Sequence, residues 1–328
     1  GQSVHAMMQA SWSNQYVVPG GLLVSPYLGL RGDAASYDGA SSLTGAPAAQ
    51  SLLSATPIAA LDIRYPLLAR TVGAAHVIEP IAQLVYRDGE AVPGIVNNDS
   101  QGVVFDDTNL FSFNRFSGAD RQETGLRANV GGQFQTSFDN GGWLSGLMGQ
   151  SFHLAGTNGF NANDGSTAGV ASGLNADASY VVAGLQGGYG GLAGGAKAQL
   201  DPATGDIPRV QLSASGEVDG FTVTGDYVFI AGEAALSQPQ DRHEVAVGAE
   251  IPVADYWTAN AGVAWDLAAN EWLQATAGLT YDDKFLAYGV QTRWTGPTHR
   301  SANDFRVGVT FSLSGPENSE VVDLSGGF

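Results

Sequence analysis

Alternation with a period of two is the dominant pattern of this chain, and it recurs in segments of about ten residues. In the clearest case Trp257, Ala259, Ala261, Val263, Trp265 and Leu267 fall on one side, against Thr258, Asn260, Gly262, Ala264 and Asp266 on the other. Leu273, Ala275, Ala277, Leu279 and Tyr281 alternate in the same way with Gln274, Thr276, Gly278, Thr280 and Asp282. So do Phe305, Val307, Val309, Phe311 and Leu313 with Arg306, Gly308, Thr310, Ser312 and Ser314. The pattern predicts about fifteen strands, near 3–13, 21–31, 55–66, 76–87, 121–138, 143–154, 178–189, 192–200, 208–218, 221–230, 242–253, 257–267, 272–282, 284–295 and 304–314. A soluble sandwich would alternate too, with its apolar side turned inward. The direction of the apolar side is therefore the question.

Connection lengths bear on it. Short links near 14–20, 67–75, 139–142, 190–191, 219–220, 254–256 and 283 alternate with others near 32–54, 88–120, 155–177, 201–207, 231–241, 268–271 and 296–303, most of them longer. Tight turns at one rim and longer loops at the other are the arrangement of an outer-membrane barrel, whereas Greek-key sandwiches have no reason to alternate so regularly. Aromatic residues agree. Trp143, Trp257 and Tyr281 fall at short-turn ends, and Trp265, Trp272, Trp294 and Phe305 near long-loop ends, as two interface girdles would.

Composition narrows the classes. Charged residues are 14% of the 328, below the roughly 25% of soluble domains. No apolar run approaches the roughly 18 residues of a membrane helix. The 45 glycines suit tightly curved sheets. A formal net charge of −18 argues against nucleic acid. Without cysteine there is neither a disulfide nor a thiolate metal site within the chain. Gly1 is followed by no charged and apolar leader, so the expectation is a mature or truncated piece.

Candidates for chemistry are few. His5, His76, His153, His243 and His299 sit on separate segments without metal-ligand spacing. Asp99, Asp106 and Asp107 share one loop and could meet a divalent cation, but match no calcium loop. The Gly187–Gly195 cluster reads as a tight hairpin, since it matches no phosphate-binding loop. The expectation is no catalytic residue, no metal and no cofactor. The loop at 88–120 stands apart. Phe105, Phe111, Phe113 and Phe116 need something to pack against, and Arg115, Asp120, Arg121 and Glu123 offer charge pairing. Long loops of this kind are functional or disordered; the side chains here predict an ordered loop folded over or into a barrel mouth.

The stretch HVIEPIAQLVYRDG (76–89), followed by NNDSQGVVFDDTNLFSFNRFSGADRQETGLRANVGGQF (97–134), resembles the LptD (OstA/Imp) family. The matching residues are Pro80, Gln83, Asn109, Leu110, Phe111, Asn114, Arg115, Phe116, Ser117, Gly118, Asp120, Arg121, Glu123 and Gly125. The resemblance implies an all-β, antiparallel transmembrane outer-membrane β-barrel of about 26 strands. This chain would be a partial barrel over 1–314, with a tail at 315–328. A periplasmic jellyroll, which contacts the lipopolysaccharide-bridge proteins, and roughly eleven further strands would precede it. The chain departs from enterobacterial members in lacking their C-terminal cysteine pair. The implied function is assembly of lipopolysaccharide into the outer leaflet without catalysis, through the lumen and a lateral seam, with an LptE-type lipoprotein plug. On that reading Asn109, Phe111, Asn114, Arg115, Phe116, Asp120, Arg121 and Glu123 shape the lumen or meet the partner. Phe305, Arg306, Val307, Gly308, Val309 and Thr310 belong to the seam strand. A passive porin-like channel is the alternative.

Overall fold

The computed structural model describes residues 2–38, 49–89, 96–161, 169, 172–233, 238–296 and 303–313, with the backbone of 322–323 and 326–327. These residues are strands and connections, apart from one 3-10 turn at Gly159–Asn161. None of their helices is long and apolar enough to cross a membrane, which says nothing of strands. The chain divides into two compact units, the first built mainly from Gly1–Leu185 and the second mainly from Arg209–Gly232 and Gln240–Phe328.

In the first unit β1 (Gln2–Ser13), β2 (Tyr16–Val18), β3 (Leu22–Asp38), β4 (Ala49–Arg64), β5 (Leu67–Thr71), β6 (Ala74–Arg87), β7 (Gly125–Phe138) and β8 (Trp143–Ala155) form antiparallel pairs. The ladder steps from β1 to β3, β4, β6, β7 and β8, with β2 and β5 as short pieces beside the turns. Burial runs opposite to that of a soluble sheet. Along β6 the polar Glu79, Gln83 and Arg87 are buried, while Ile78, Leu84 and Tyr86 on the other face are 53%, 45% and 43% exposed. Val130 and Met148 continue that exposed apolar face on β7 and β8, at 50% and 60%. A sandwich would bury these side chains against a second sheet. A barrel strand turns them to lipid.

Three expected boundaries change. β3 runs to Asp38 rather than 31, and β4 begins at Ala49 rather than 55, because the charged Arg31 and Asp33 lie inside the ladder and not in a loop. Conversely 121–124, expected to open a strand, belongs to the loop, and β7 starts at Gly125. Gly125 has φ +88°, and a Cβ there would stand 2.7 Å from the Ala155 carbonyl oxygen, so the entry into β7 requires glycine.

β9 (Val181–Tyr189) and β10 (Leu192–Leu200) follow. The second unit then adds β11 (Arg209–Val218), β12 (Phe221–Ile230), β13 (Arg242–Ala254), β14 (Trp257–Asp266), β15 (Glu271–Asp282), β16 (Leu286–Thr295) and β17 (Asp304–Leu313), each paired antiparallel with the next. Asp219 and Gly220 both have positive φ, 53° and 78°, as a two-residue hairpin turn matching strand twist demands. The two aromatic rows are present on the apolar face. At the short-turn ends Trp257 and Tyr281 lie 5.3 Å apart and Tyr281 and Tyr288 5.0 Å, while Trp294 and Phe305 meet at 4.8 Å near the other ends. Of the expected tail, 322–323 and 326–327 pair along β17, and the rest lies outside the described residues.

Candidate functional site

The polar face of the first unit is covered by the segment 96–124, which links β6 to β7. Its anchor is Arg115, a guanidinium with no exposed area. One arm of the fork donates to Glu123 Oε1 at 2.7 Å, and the other to Asn129 Oδ1 at 2.6 Å, Ser151 Oγ at 3.1 Å and the Leu110 carbonyl at 2.7 Å. Arg115 Nε donates to the Asn109 carbonyl at 3.2 Å, and the Phe105 ring lies 5.0 Å from the guanidinium carbon. Burial pushes the Arg115 guanidinium down to about 10, Glu123 opposing the shift, so it stays charged at neutral pH. The other Glu123 oxygen pairs with Arg127 of β7, so one buried carboxylate serves two buried cations.

From this anchor the contacts spread across the strands. Asn129 donates to Gln83 at 2.7 Å, and Gln83 donates to Asp62 at 3.1 Å and to the Phe111 carbonyl at 3.0 Å. Asp62 is held by Arg64, whose guanidinium also lies 5.9 Å from the Phe111 ring. Arg87 donates to Gln122 at 2.5 Å, and Arg31 to the Ala119 carbonyl at 2.5 Å. His5 sits between Asp33 at 2.9 Å and Asp120 at 2.8 Å, tying the segment to β1 and β3. At the other side Lys197 of β10 reaches Asp106 at 3.1 Å and Asp107 at 3.0 Å. Thus one segment is fastened to strands from β1 through β10.

An apolar cluster completes the seal. Phe105, Leu110 and Phe116 pack with Phe160, Leu174 and Val182. Phe116 stacks on Phe160 with centroids 4.4 Å apart and planes 16° from parallel. Gly149 makes room, since a Cβ there would fall 2.6 Å from Leu110 Cδ2.

The expected loop residues all have definite places. Asn109 accepts from the Asp106 amide at 3.1 Å and donates to the Val104 carbonyl at 2.7 Å, and Asn114 accepts from the Glu123 amide at 2.9 Å. Asp120 accepts from the Asn98 amide at 2.8 Å, and Arg121 donates to the Asp120 carbonyl at 2.9 Å. The three aspartates considered for a cation are separated in role. Asp99 accepts from the amides of Ala119 and Asp120 and from the Ser100 hydroxyl, whereas Asp106 and Asp107 face Lys197. Burial alone would raise the Asp99 and Asp106 carboxyls, but hydrogen bonds outweigh it and hold both below the usual carboxylate range. At Asp99 these are the bonds just named; at Asp106 they come from the Thr108 hydroxyl and amide and then from Lys197. No cluster of three metal-ligating side chains exists among the described residues. The histidines also stay apart: His76 contacts Thr71 and Thr136, His153 the Gly156 carbonyl, and His243 Tyr227, while His299 lies outside the described residues.

The chain matches the family model LptD, described as LPS transport system D, over residues 2–257. It belongs to the LptD family. That is a family of outer-membrane β-barrel proteins with a role in lipopolysaccharide transport to the outer membrane, a transport and assembly role and not an enzymatic one. No curated protein matches the chain. The segment 96–124 and the wall residues that hold it lie within the matched residues, whereas β14 beyond Trp257 and β15 to β17 lie outside them. The wall partners His5, Arg31, Asp33, Arg87, Arg127 and Lys197 were not singled out as LptD site residues from sequence.

Proposed function

We propose that this chain forms part of the wall of a conduit for lipopolysaccharide, in which 96–124 is a fixed lining and not a swinging gate. The observation that carries this reading is the burial of Arg115 and Glu123 between the segment and the polar face. Lipopolysaccharide joins a large sugar head to several acyl chains. A polar lumen accepts the head, and the chains leave sideways into the bilayer, because apolar groups gain nothing from a wet polar wall.

The exit we assign is a seam along β17, whose polar side carries Arg306, Gly308, Thr310 and Ser312 and whose apolar side carries Phe305, Val307, Val309 and Phe311. In the structure the outer edge of β17 accepts short antiparallel pairings, Ser312 with Asp323 and Gly308 with Gly327, so it can take an added strand. An LptE-type lipoprotein is the proposed occupant of the lumen, bearing on the lumenal side of 96–124, and periplasmic lipopolysaccharide-bridge proteins are the proposed suppliers. A cysteine pair that locks β17 to the strand closing the barrel against it is expected to stop lipopolysaccharide export in cells. Full export with that crosslink complete refutes the seam. Deleting 97–118 tests the lining: barrels that insert, stay stable and still bind the lipoprotein would refute it.

A further inference from the structure

We infer that Arg293 and Arg306 form a two-pronged site for phosphate groups on the glycolipid headgroup, at the lip of β16 and β17. The inference rests on the proposed passage of lipopolysaccharide along this face. The two residues are directly opposite in the antiparallel register, so their Cα atoms stand about 5 Å apart on one face. Like charges in that position repel and weaken a strand pair. In a chain with 14 Lys and Arg and a net charge of −18, two arginines set against each other concentrate scarce positive charge at one point.

Neighbouring carboxylates do not offset it. Arg306 donates to Asp304 at 2.7 Å, but these side chains are 73% and 48% exposed, where an ion pair contributes little. Arg293 has no ion pair among the described residues. Apart from Asp304 the next positions on the same face are neutral: Gln291 and Thr295 on β16, Gly308 on β17 and Thr276 opposite Arg293 on β15. A Cβ on Gly308 would meet nothing nearer than 3.9 Å, so the floor beside the guanidiniums is open. Guanidinium forks bind phosphate in bidentate fashion, and a doubly charged phosphate between two of them turns repulsion into attraction.

The depth of the site fits a headgroup. Trp294 and Phe305, each one position away on the opposite face, form the aromatic row near the long-loop ends. Such rows mark the membrane–water boundary. The arginines therefore lie at the level where phosphates would stand while acyl chains cross the seam below.

The test titrates three probes into the purified full chain in detergent: lipopolysaccharide, the same glycolipid stripped of phosphate, and inorganic phosphate. Wild type is expected to prefer the phosphorylated glycolipid by about tenfold or more. The double variant Arg293→Gln/Arg306→Gln should lose that preference, and the lysine pair should keep part of it. The glutamine pair should melt no lower than wild type, since a repulsion is removed. If it fails to insert, Arg293→Gln alone, which leaves Arg306 and Asp304 intact, should still reduce the preference. A retained preference in the glutamine variants overturns the site. Equal competition by inorganic phosphate assigns the pair to free phosphate and overturns the headgroup assignment. Wild type that binds both glycolipids equally overturns the site while leaving the transport reading intact; wild type that binds neither overturns both.

Discussion

Arg115 and Glu123 meet at 2.7 Å with side chains 0% and 6% exposed, pinning the segment 96–124 to the strands beneath it. A buried ion pair is tolerated only when every remaining donor and acceptor is satisfied. Here the backbone carbonyls of Asn109 and Leu110 and the side chains of Asn129 and Ser151 take the rest of the Arg115 fork.

Arg115→Ala leaves Glu123 buried with Arg127 alone and should cost about 3–5 kcal/mol. Arg115→Lys should recover little of it, because an ammonium has three donors and no fork. Thermal unfolding in detergent, paired with protease cleavage inside 96–124, checks both; a lysine variant as stable as wild type would contradict the fork geometry.

Phe116→Ala empties a buried ring site and should cost about 3–5 kcal/mol. Its stacking on Phe160 should appear as a coupling of about 0.5–1.5 kcal/mol in a double-mutant cycle. Strict additivity of the two single variants would show that the rings do not share one cluster.

Gly149→Val should disrupt both the β7–β8 ladder and the segment. A Cβ there would collide with the Val130 carbonyl oxygen and stand 2.6 Å from Leu110 Cδ2. The expected result is a lowered melting temperature in detergent together with rapid protease cleavage inside 96–124. Protection equal to wild type would mean that Leu110 has another place to go.

The segment should loosen in acid. Asp99 and Asp106 have carboxyls held below their ordinary value, so their contribution is fully present above the unfolded value near pH 4 and is lost as pH falls through the lower folded values. Protease cleavage of 96–124 should rise below about pH 4, and Asp99→Asn should make it less steeply dependent on pH. A cleavage rate flat from about pH 5 to about pH 2 would remove these carboxylates from the account.

Strand positions were legible because alternation needs no distant partner. The segments 192–200 and 221–230 appear at the expected bounds, and the apolar face could be picked out residue by residue. The ends of β3 and β4 were not legible, since Arg31 and Asp33 look like loop residues until His5 and Ala119 are seen beside them. A local signal was available: opposite charges two residues apart share one strand face, as in Arg31 with Asp33, Asp62 with Arg64, Arg242 with Glu244 and Asp304 with Arg306. No such signal marks Lys197. It gains meaning only from Asp106 and Asp107, far away in sequence.

Those distances set an order of events in biogenesis. Asp106 binds a lysine 91 residues downstream, and Asp120 a histidine 115 residues upstream. Contacts of such separation form late, after loop-closure entropy has been overcome. The segment therefore cannot fasten until the chain through β10 is in place, and its protection from protease during assembly should lag behind that of the β6–β7 hairpin from which it springs. A wall that has not been completed is left with its lining loose and its backbone open to cleavage.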